Sequence, residues 1–427
     1  MLDRTIEPKI YSPVEFEYHL PDCTSIVFEN GIGVHYYSDD LQPVMQLEMV
    51  FKAGLWYENQ NGIAQATASL LKSGTSKMSS FQINEMFEQY GASVKTVAGP
   101  DFASITISCL TKHLSKILPV VADMLLDTQF PQHEIDIFIQ NAKQRLSVQL
   151  LKSDFVANRK IDEFLFGMHH PYGKYSVVSD YEAINQQALS THLKTYYSNN
   201  NCTFFIAGSF AESDIELIHH HFGKTNWNNE NVMVEPVFEA LSTAEKKHRI
   251  NNDQKGVQGS IRIASHFPNK HHEDFYPMIV LNTILGGYFG SRLMSNIRED
   301  KGYTYGIHSY MYNQVKQSAY LITTEAGKDV CEAAIKEIYY EMDVLKNELV
   351  DAEELELVKN YLLGTILGDL DGAFQIMQRW KSLILNGFTK ERFNKNIELY
   401  KHISPEQLQA LANKYYQQEN FYELVVI

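Results

Sequence analysis

Cysteine is scarce: four in 427 residues, at positions 23, 109, 202 and 331, with no pair in Cys-x-x-Cys spacing. That argues against a disulfide-stapled scaffold and against a thiolate metal cluster. Cys109 lies inside the apolar, strand-like run Ile105 to Leu110 and reads as a buried free thiol. Long apolar runs are also missing, and none approaches the length of a membrane helix. The opening MLDRTIEPKIYSP has no apolar block behind its charges, so it does not read as a secretory signal, and a reducing, cytoplasmic setting is expected. Positive charge is in deficit, with 37 Lys and Arg against 52 Asp and Glu and a net charge of −15. This speaks against nucleic acid or an anionic membrane as partner and is compatible with basic or neutral peptides.

What is present is a duplication. The length calls for two or more domains, and 44% hydrophobic residues suffice for ordinary cores. In the first half, strand signals run from Thr24 to Phe28, through an Asn30-Gly31 turn into Ile32 to Tyr37, and over Met45 to Lys52. A helix follows from Gly62 to Lys72, then one that Ser79 and Gln82 start as a capping box and Gly91 ends. Strands at Ser93–Ala98 and Phe102–Leu110 and long helices over His113–Asp127 and Pro131–Leu151 complete the pattern. The second half repeats that order, with strands at Val257–Phe267, Tyr303–Tyr312 and Ser318–Thr324, and long helices at Val330–Asn347 and Ala352–Leu367. The endings match as well: LSTHLKTYYSNNNCTFFIAG against LQALANKYYQQENFYELVVI, the second helix started by Ser404, Pro405 and Gln407. A long-period repeat of this kind predicts an α+β protein of two homologous domains, each a mostly antiparallel or mixed sheet with helices on one face. The expected division is an N-terminal arm (1–22), a first domain (23–223), a polar linker (224–254) and a second domain (255–427). A cleft between two such domains suits an extended peptide added as a strand.

One stretch stands out, LGGYFGSRLMSNIREDKGYTYG from Leu285 to Gly306. Gly286 and Gly287 permit close backbone approach and, placed before a helix, leave N–H groups free for an anion or a peptide carbonyl. Gly290 and Ser291 continue the run, Leu293, Met294 and Ile297 form an apolar side, and the chain breaks at Gly302 into a strand. A helix doubling back onto that strand can aim Arg298 and Tyr305 at one point. Spacing alone favours a surface arginine and a core tyrosine.

These motifs carry a resemblance. LGGYFGSRLMSNIRED followed by GYTY in the second half, with FKAGLWYE, NGIAQATASLLKSGT, FEQYGASV and HHPYG in the first, resembles the pitrilysin-type (M16) zinc peptidases of the short, two-domain kind along essentially the whole chain. The resemblance implies two homologous α+β domains forming a half-shell, two half-shells enclosing a chamber for unfolded peptides. Active members carry an inverted zinc motif, H-x-x-E-H, on the helix after the first GIA-like turn, whose histidines bind zinc and whose glutamate activates water. Here Gln65 and Ser69 stand at the ligand positions and Ala68 at the base position, and the helix from Ile137 to Ser153, where the third ligand is expected, has no carboxylate. Neither an amide nor a hydroxyl replaces an imidazole at zinc. No metal or other cofactor is therefore expected in this chain. In active members an arginine and a tyrosine of the second domain reach the substrate at the metal, and Arg298 and Tyr305 stand at those positions. Arginine holds a peptide carbonyl or a developing oxyanion by charge-assisted hydrogen bonds, and a phenol adds a second donor.

The resemblance implies a non-catalytic subunit of a heterodimeric peptidase. A zinc-bearing M16-like partner would supply the metal and the hydrolysis, while this chain would complete the chamber, align the peptide on a sheet edge and donate Arg298 and Tyr305. Gly286, Gly287, Gly290 and Ser291 are candidate contacts to the substrate backbone. The alternative is a structural or peptide-binding homologue with no catalytic role, self-associating when isolated; a self-sufficient peptidase would need an unrecognised site. The other polar clusters read as no metal site. His219, His220 and His221 are consecutive on a helix, point to different sides and read as a solvated helix end. His271 and His272 lie in a polar loop and read as solvent-facing, His169 to Gly173 reads as a packing loop, and Glu58, an acidic position ahead of the degenerate motif, reads as structural.

Overall fold

The computed structural model describes residues 16–228, 233–252 and 256–427; most of the expected arm and parts of the expected linker lie outside them. In the first half the elements are β1 (Thr24–Val27), β2 (Gly33–Ser38), β3 (Val44–Phe51), α1 (Ile63–Leu70), α2 (Ser80–Gln89), β4 (Ser93–Ala98), β5 (Ala103–Leu110), α3 (Leu114–Leu126), α4 (Gln132–Gln149), α5 (Ser153–Phe166), α6 (Val178–Glu182), α7 (Gln186–Tyr196), β6 (Cys202–Gly208) and α8 (Glu212–Phe222). The second half has β7 (Lys247–Ile250), β8 (Gln258–Phe267), α9 (Phe275–Asn282), β9 (Thr304–Asn313), β10 (Ser318–Gly327), α10 (Cys331–Asn347), α11 (Ala352–Gly368), α12 (Ala373–Leu385), α13 (Lys390–His402), α14 (Pro405–Tyr415) and β11 (Tyr422–Val426).

The duplication is written in the sheets. The first has the order β1-β2-β6-β3-β5-β4 and the second β7-β11-β8-β10-β9, so that apart from β1 each strand has a counterpart in the same place. The directions repeat too: β2 runs parallel to β6 as β7 does to β11, β3 and β8 pair antiparallel with those strands, and the hairpins β4-β5 and β9-β10 are antiparallel. Both sheets are mixed, as the α+β reading requires. β4 and β9 each end a sheet, leaving one row of main-chain groups without a strand partner among the described residues.

By contacts the chain separates into two compact units. One holds Asp22–Ser265, Gly372–Lys381 and Tyr422–Ile427; the other holds His266–Asp371, Ser382–Phe421 and the described residues up to Pro21. In the first unit, alternate residues of β5 (Ala103, Ile105, Ile107, Cys109) are buried with Met45, Leu47, Met49 and Phe51 of β3, and α3 contributes a further set of buried apolar residues. Within this unit Lys381 of α12 reaches Glu48 of β3 at 2.7 Å, pairing a buried carboxylate. In the second unit Tyr320 and Tyr416 pack inside the core with hydroxyl oxygens 3.2 Å apart.

Local sequence signals act as read. Ser79 and Gln82 form a reciprocal cap on α2, and Ser404 and Gln407 form one on α14. Within 224–254, however, Lys247–Ile250 is a strand pairing with Glu423–Val426. Its polar sequence KHRI suits an edge strand, which composition cannot distinguish from a linker.

Candidate functional site

Arg298 and Tyr305 meet at a corner built by two local irregularities. After Leu293, residues Met294–Asp300 widen into a π-helical stretch, which buries Met294 and Ile297 while Arg298 stays half-buried. Gly302, at φ +67°, ends it in the left-handed conformation that favours glycine, and Tyr303 N–H donates back to Ile297 O at 2.9 Å. The chain then enters β9 through a bulge. Thr304 pairs with Ala326 and Ile307 with Thr324, so Tyr305 and Gly306 together oppose the single residue Glu325. Thr304 pins the bulge, its hydroxyl donating to Glu325 O at 2.7 Å and accepting from Gly306 N–H at 3.1 Å.

Bulges re-aim side chains, and this one turns Tyr305 outward to 91% exposure. Arg298 Nε donates to the Tyr305 main-chain oxygen at 3.1 Å, and its guanidinium lies 4.7 Å from the centre of the exposed Phe289 ring. Glu299 stands 3.5 Å from Arg298 Nη1, with both side chains substantially exposed. The Nη2 group and the Tyr305 hydroxyl have no protein partner among the described residues. The structure thus brings the two residues together through backbone, with two donor groups left over.

The glycine run has a different construction from the one expected. Thr283–Gly287 is a π-helical turn continuing α9, so Gly286 and Gly287 end a helix rather than precede one. Helix C-terminal ends leave carbonyls free, not N–H groups, and the expectation of a ready anion site there is corrected accordingly. Gly286 is buried, and a Cβ there would lie 2.6 Å from Ser309 Oγ on β9. Ser291 is buried as well, whereas Gly287 and Gly290 are exposed.

The helix of the inverted motif is α1. Glu58, buried ahead of it, accepts from Ala64 N–H at 3.0 Å and pairs with Lys174 at 3.0 Å. Burial pushes its carboxyl pKa up, with Lys174 and the helix N–H groups opposing. Ala64, Ala66 and Ala68 are buried, while Gln65 and Ser69, four residues apart, share the exposed face. That face lines a cavity of about 710 Å³, walled by Thr96, Val97 and Ala98 of β4, by Phe138, Asn141, Arg145 and Gln149 of α4, and by Arg159 and Lys174. The two carboxylates of α4, Glu134 and Asp136, do not line it.

A zinc ion does not fit these residues. The α1 face offers an amide and a hydroxyl, the α4 face amides and a guanidinium, and an arginine opposes a dication. Among the described residues no group of three His, Cys, Asp or Glu side chains is placed to hold a metal. His170 is buried against Phe166 and Trp56, as a packing loop requires, and His271 is exposed with its ring tilted against Phe388; His219 is half-buried against Phe28, so the helix end is only partly solvated.

Comparisons with known proteins agree with this geometry. Residues 34–168 match the profile described as Insulinase (Peptidase family M16), and residues 183–362 the one described as Peptidase M16 inactive domain. The chain belongs to the M16 peptidase family. An M16 relative in Bacillus subtilis, named Uncharacterized zinc protease YmxG, is 24% identical over 75% of this chain and 77% of its own length. One in Helicobacter pylori, named Non-peptidase homolog YmxG, is 23% identical over 78% of this chain and 77% of its own. The mitochondrial-processing peptidase subunit alpha of Rattus norvegicus is 20% identical over 86% of this chain and 75% of its own. Two solved structures share the fold. A protease from Helicobacter pylori has a TM-score of 0.86 at 16% identity, covering 96% of this chain and 100% of that one. A peptidase M16 inactive domain from Pseudomonas fluorescens has a TM-score of 0.82 at 20% identity, covering 95% and 98%.

Within this M16 chain, the sequence reading did not single out Arg145, Arg159 and the β4 edge as parts of the α1 cavity. One signal was available: Asn141, Arg145 and Gln149 recur every four residues and so share one face of α4.

Proposed function

We propose that this chain is the non-catalytic subunit of a two-chain M16 peptidase. A zinc-bearing partner supplies the metal and the hydrolytic step. This chain closes the peptide chamber with domains spanning 23–223 and 255–427, joined through 224–254, and contributes Arg298 and Tyr305. It carries no metal of its own and works in the cytoplasm, where its free thiols are at home.

One contrast carries the reading. The Arg298–Tyr305 corner is built by a π-helical stretch and a bulge and holds unused donors, while the α1 face has lost every group that zinc would need. A guanidinium and a phenol held this way can take a peptide carbonyl or the negative oxygen that develops when it is attacked. Gly287 and Gly290 are exposed beside that corner and can let a peptide main chain approach, whereas Gly286 and Ser291 act through packing. The names of the mitochondrial subunits alpha and beta, both similar to this chain, support a two-chain assembly.

The test is co-expression with a zinc-bearing M16 homologue. The two chains are expected to elute as one complex that cleaves unfolded peptides at least about tenfold faster than either chain alone. Separate elution with unchanged cleavage contradicts the proposal.

A second reading is a peptide-binding homologue that associates with itself and has no peptidase partner. The relative named a non-peptidase homolog supports it. Native mass spectrometry showing a homodimer that does not exchange with the zinc-bearing chain favours this second reading.

A further inference from the structure

The cavity over α1 has an electrostatic character opposite to that of the chain. The protein carries a net charge of −15, yet three cations line this cavity, Arg145, Arg159 and Lys174, against the single carboxylate Glu58. Glu58 is already used by Lys174 and by the Ala64 N–H. Three carboxylates of neighbouring elements are engaged too: Glu163 by Lys160 and Tyr175, Glu182 by Lys143, and Asp180 by the Val177 N–H. Glu163 also acts on Arg159, but among the residues lining the cavity Glu58 is the one carboxylate, and the lining carries more positive than negative charge.

The arginines differ in how they are held. Arg159 is pre-set, its guanidinium stacked 4.0 Å over the Tyr175 ring and its Nη2 donating to Ser176 O at 2.5 Å. Arg145 projects from the exposed face of α4 and has no hydrogen-bond or ion-pair partner among the described residues. A guanidinium with free donors beside a second, fixed one is a receptor for a carboxylate, which two parallel N–H groups can bind.

The third wall says what carries that carboxylate. β4 ends its sheet, and its residues Thr96, Val97 and Ala98 line the same cavity, with Val97 56% exposed. A free strand edge beside a cavity takes an extended peptide by adding it as a strand, leaving alternate side chains to enter pockets. The cavity volume of about 710 Å³ suits a few residues rather than a single ion.

We infer that the α1 cavity recognises an extended peptide bearing a carboxylate, with the main chain on β4 and the carboxylate against Arg145 and Arg159. The site where metal chemistry would have been is thus a selectivity pocket for acidic peptide segments. This shares with the preceding reading only the premise of a peptide-holding chamber; it needs neither partner nor hydrolysis.

Fluorescein-labelled nonapeptides differing only at the central residue (Glu, Gln or Lys), acetylated and amidated at the ends, are titrated into the isolated full chain by fluorescence anisotropy. A fourth peptide has the central Gln and a free C-terminal carboxylate, which separates a side-chain source from a terminal one. At least one carboxylate-bearing peptide is expected to bind about tenfold or more tighter than its neutral counterpart, with the Lys peptide weakest. Arg145→Gln removes that preference and Arg145→Lys retains part of it, both with unchanged thermal melting. Equal affinities across the set, a preference for Lys, no binding at all, or a preference surviving Arg145→Gln in a folded protein overturns the inference. A complex that cleaves peptides but shows no carboxylate preference removes this inference and leaves the proposed function standing.

Discussion

Arg298 grips Tyr305 by its backbone, Nε to carbonyl oxygen at 3.1 Å, and leaves the phenol untouched at the surface. The carbonyl is available because the bulge at Tyr305 and Gly306 locally disrupts the β9–β10 ladder. One side chain thus sets the attitude of the other without consuming its functional group.

A stability contrast follows. Tyr305→Phe removes a hydroxyl with no protein partner among the described residues, so urea unfolding is expected to change by less than about 0.5 kcal/mol. Arg298→Ala removes a hydrogen bond and a cation–π contact and is expected to cost about 1 kcal/mol. Equal and large losses for both would show the phenol to be a packing element.

The glycine run gives a second expectation. Gly286→Ala places a Cβ 2.6 Å from Ser309 Oγ and 3.0 Å from Ser309 N, so α9 and β9 must move apart, at a cost of about 1–3 kcal/mol. At Gly290 the nearest atoms belong to the Tyr288 ring, at 2.9 Å, and a side chain can yield where a backbone cannot. Gly290→Ala is expected to melt closer to the parent than Gly286→Ala in a thermal scan.

Glu58 and Lys174 form a nearly buried pair ahead of α1, their side chains 2% and 10% exposed. Glu58→Gln leaves the ammonium short of its counter-charge and is expected to cost about 3 kcal/mol, whereas Glu58→Gln with Lys174→Met is expected to recover part of that loss. A double-mutant cycle by urea unfolding measures the coupling.

His192 of α7 sets an acid limit. It is buried, its Nε2 lies 3.3 Å from Ala53 O, and burial pushes its imidazole pKa down to about 4 from an ordinary 6.5. A depressed folded pKa means that the unfolded chain takes up the proton first. The stability His192 contributes is therefore complete above about pH 6.5 and is lost progressively as pH falls towards 4, by up to about 3 kcal/mol. Unfolding free energies measured across that window are expected to fall less steeply in His192→Gln.

Much of this was legible in the sequence because it rests on local rules. The capping boxes at Ser79 and Ser404, the break at Gly302 and the paired endings in Tyr-Tyr followed by a strand each need only a few adjacent residues, and together they disclosed the duplication. The approach of Arg298 to Tyr305 was legible as an expectation, but the bulge that achieves it was not, because a bulge is a register property of two strands. Lys247–Ile250 hid inside a polar stretch because an edge strand has one partner and little apolar pattern. The charge of the α1 cavity was hidden for a related reason: Arg145, Arg159 and Lys174 come from separate segments, and only folding gathers them around Gln65 and Ser69.

The central claim is that this chain lends Arg298 and Tyr305 to an active centre whose metal belongs to another chain. Its most direct test is single-turnover peptide hydrolysis by the complex with a zinc-bearing M16 homologue, comparing the parent with Arg298→Ala and Tyr305→Phe. The account predicts a fall in the cleavage step of about tenfold to a thousandfold for Arg298→Ala and a smaller fall for Tyr305→Phe, with the complex still assembled. Cleavage at the parent rate by both variants would contradict it.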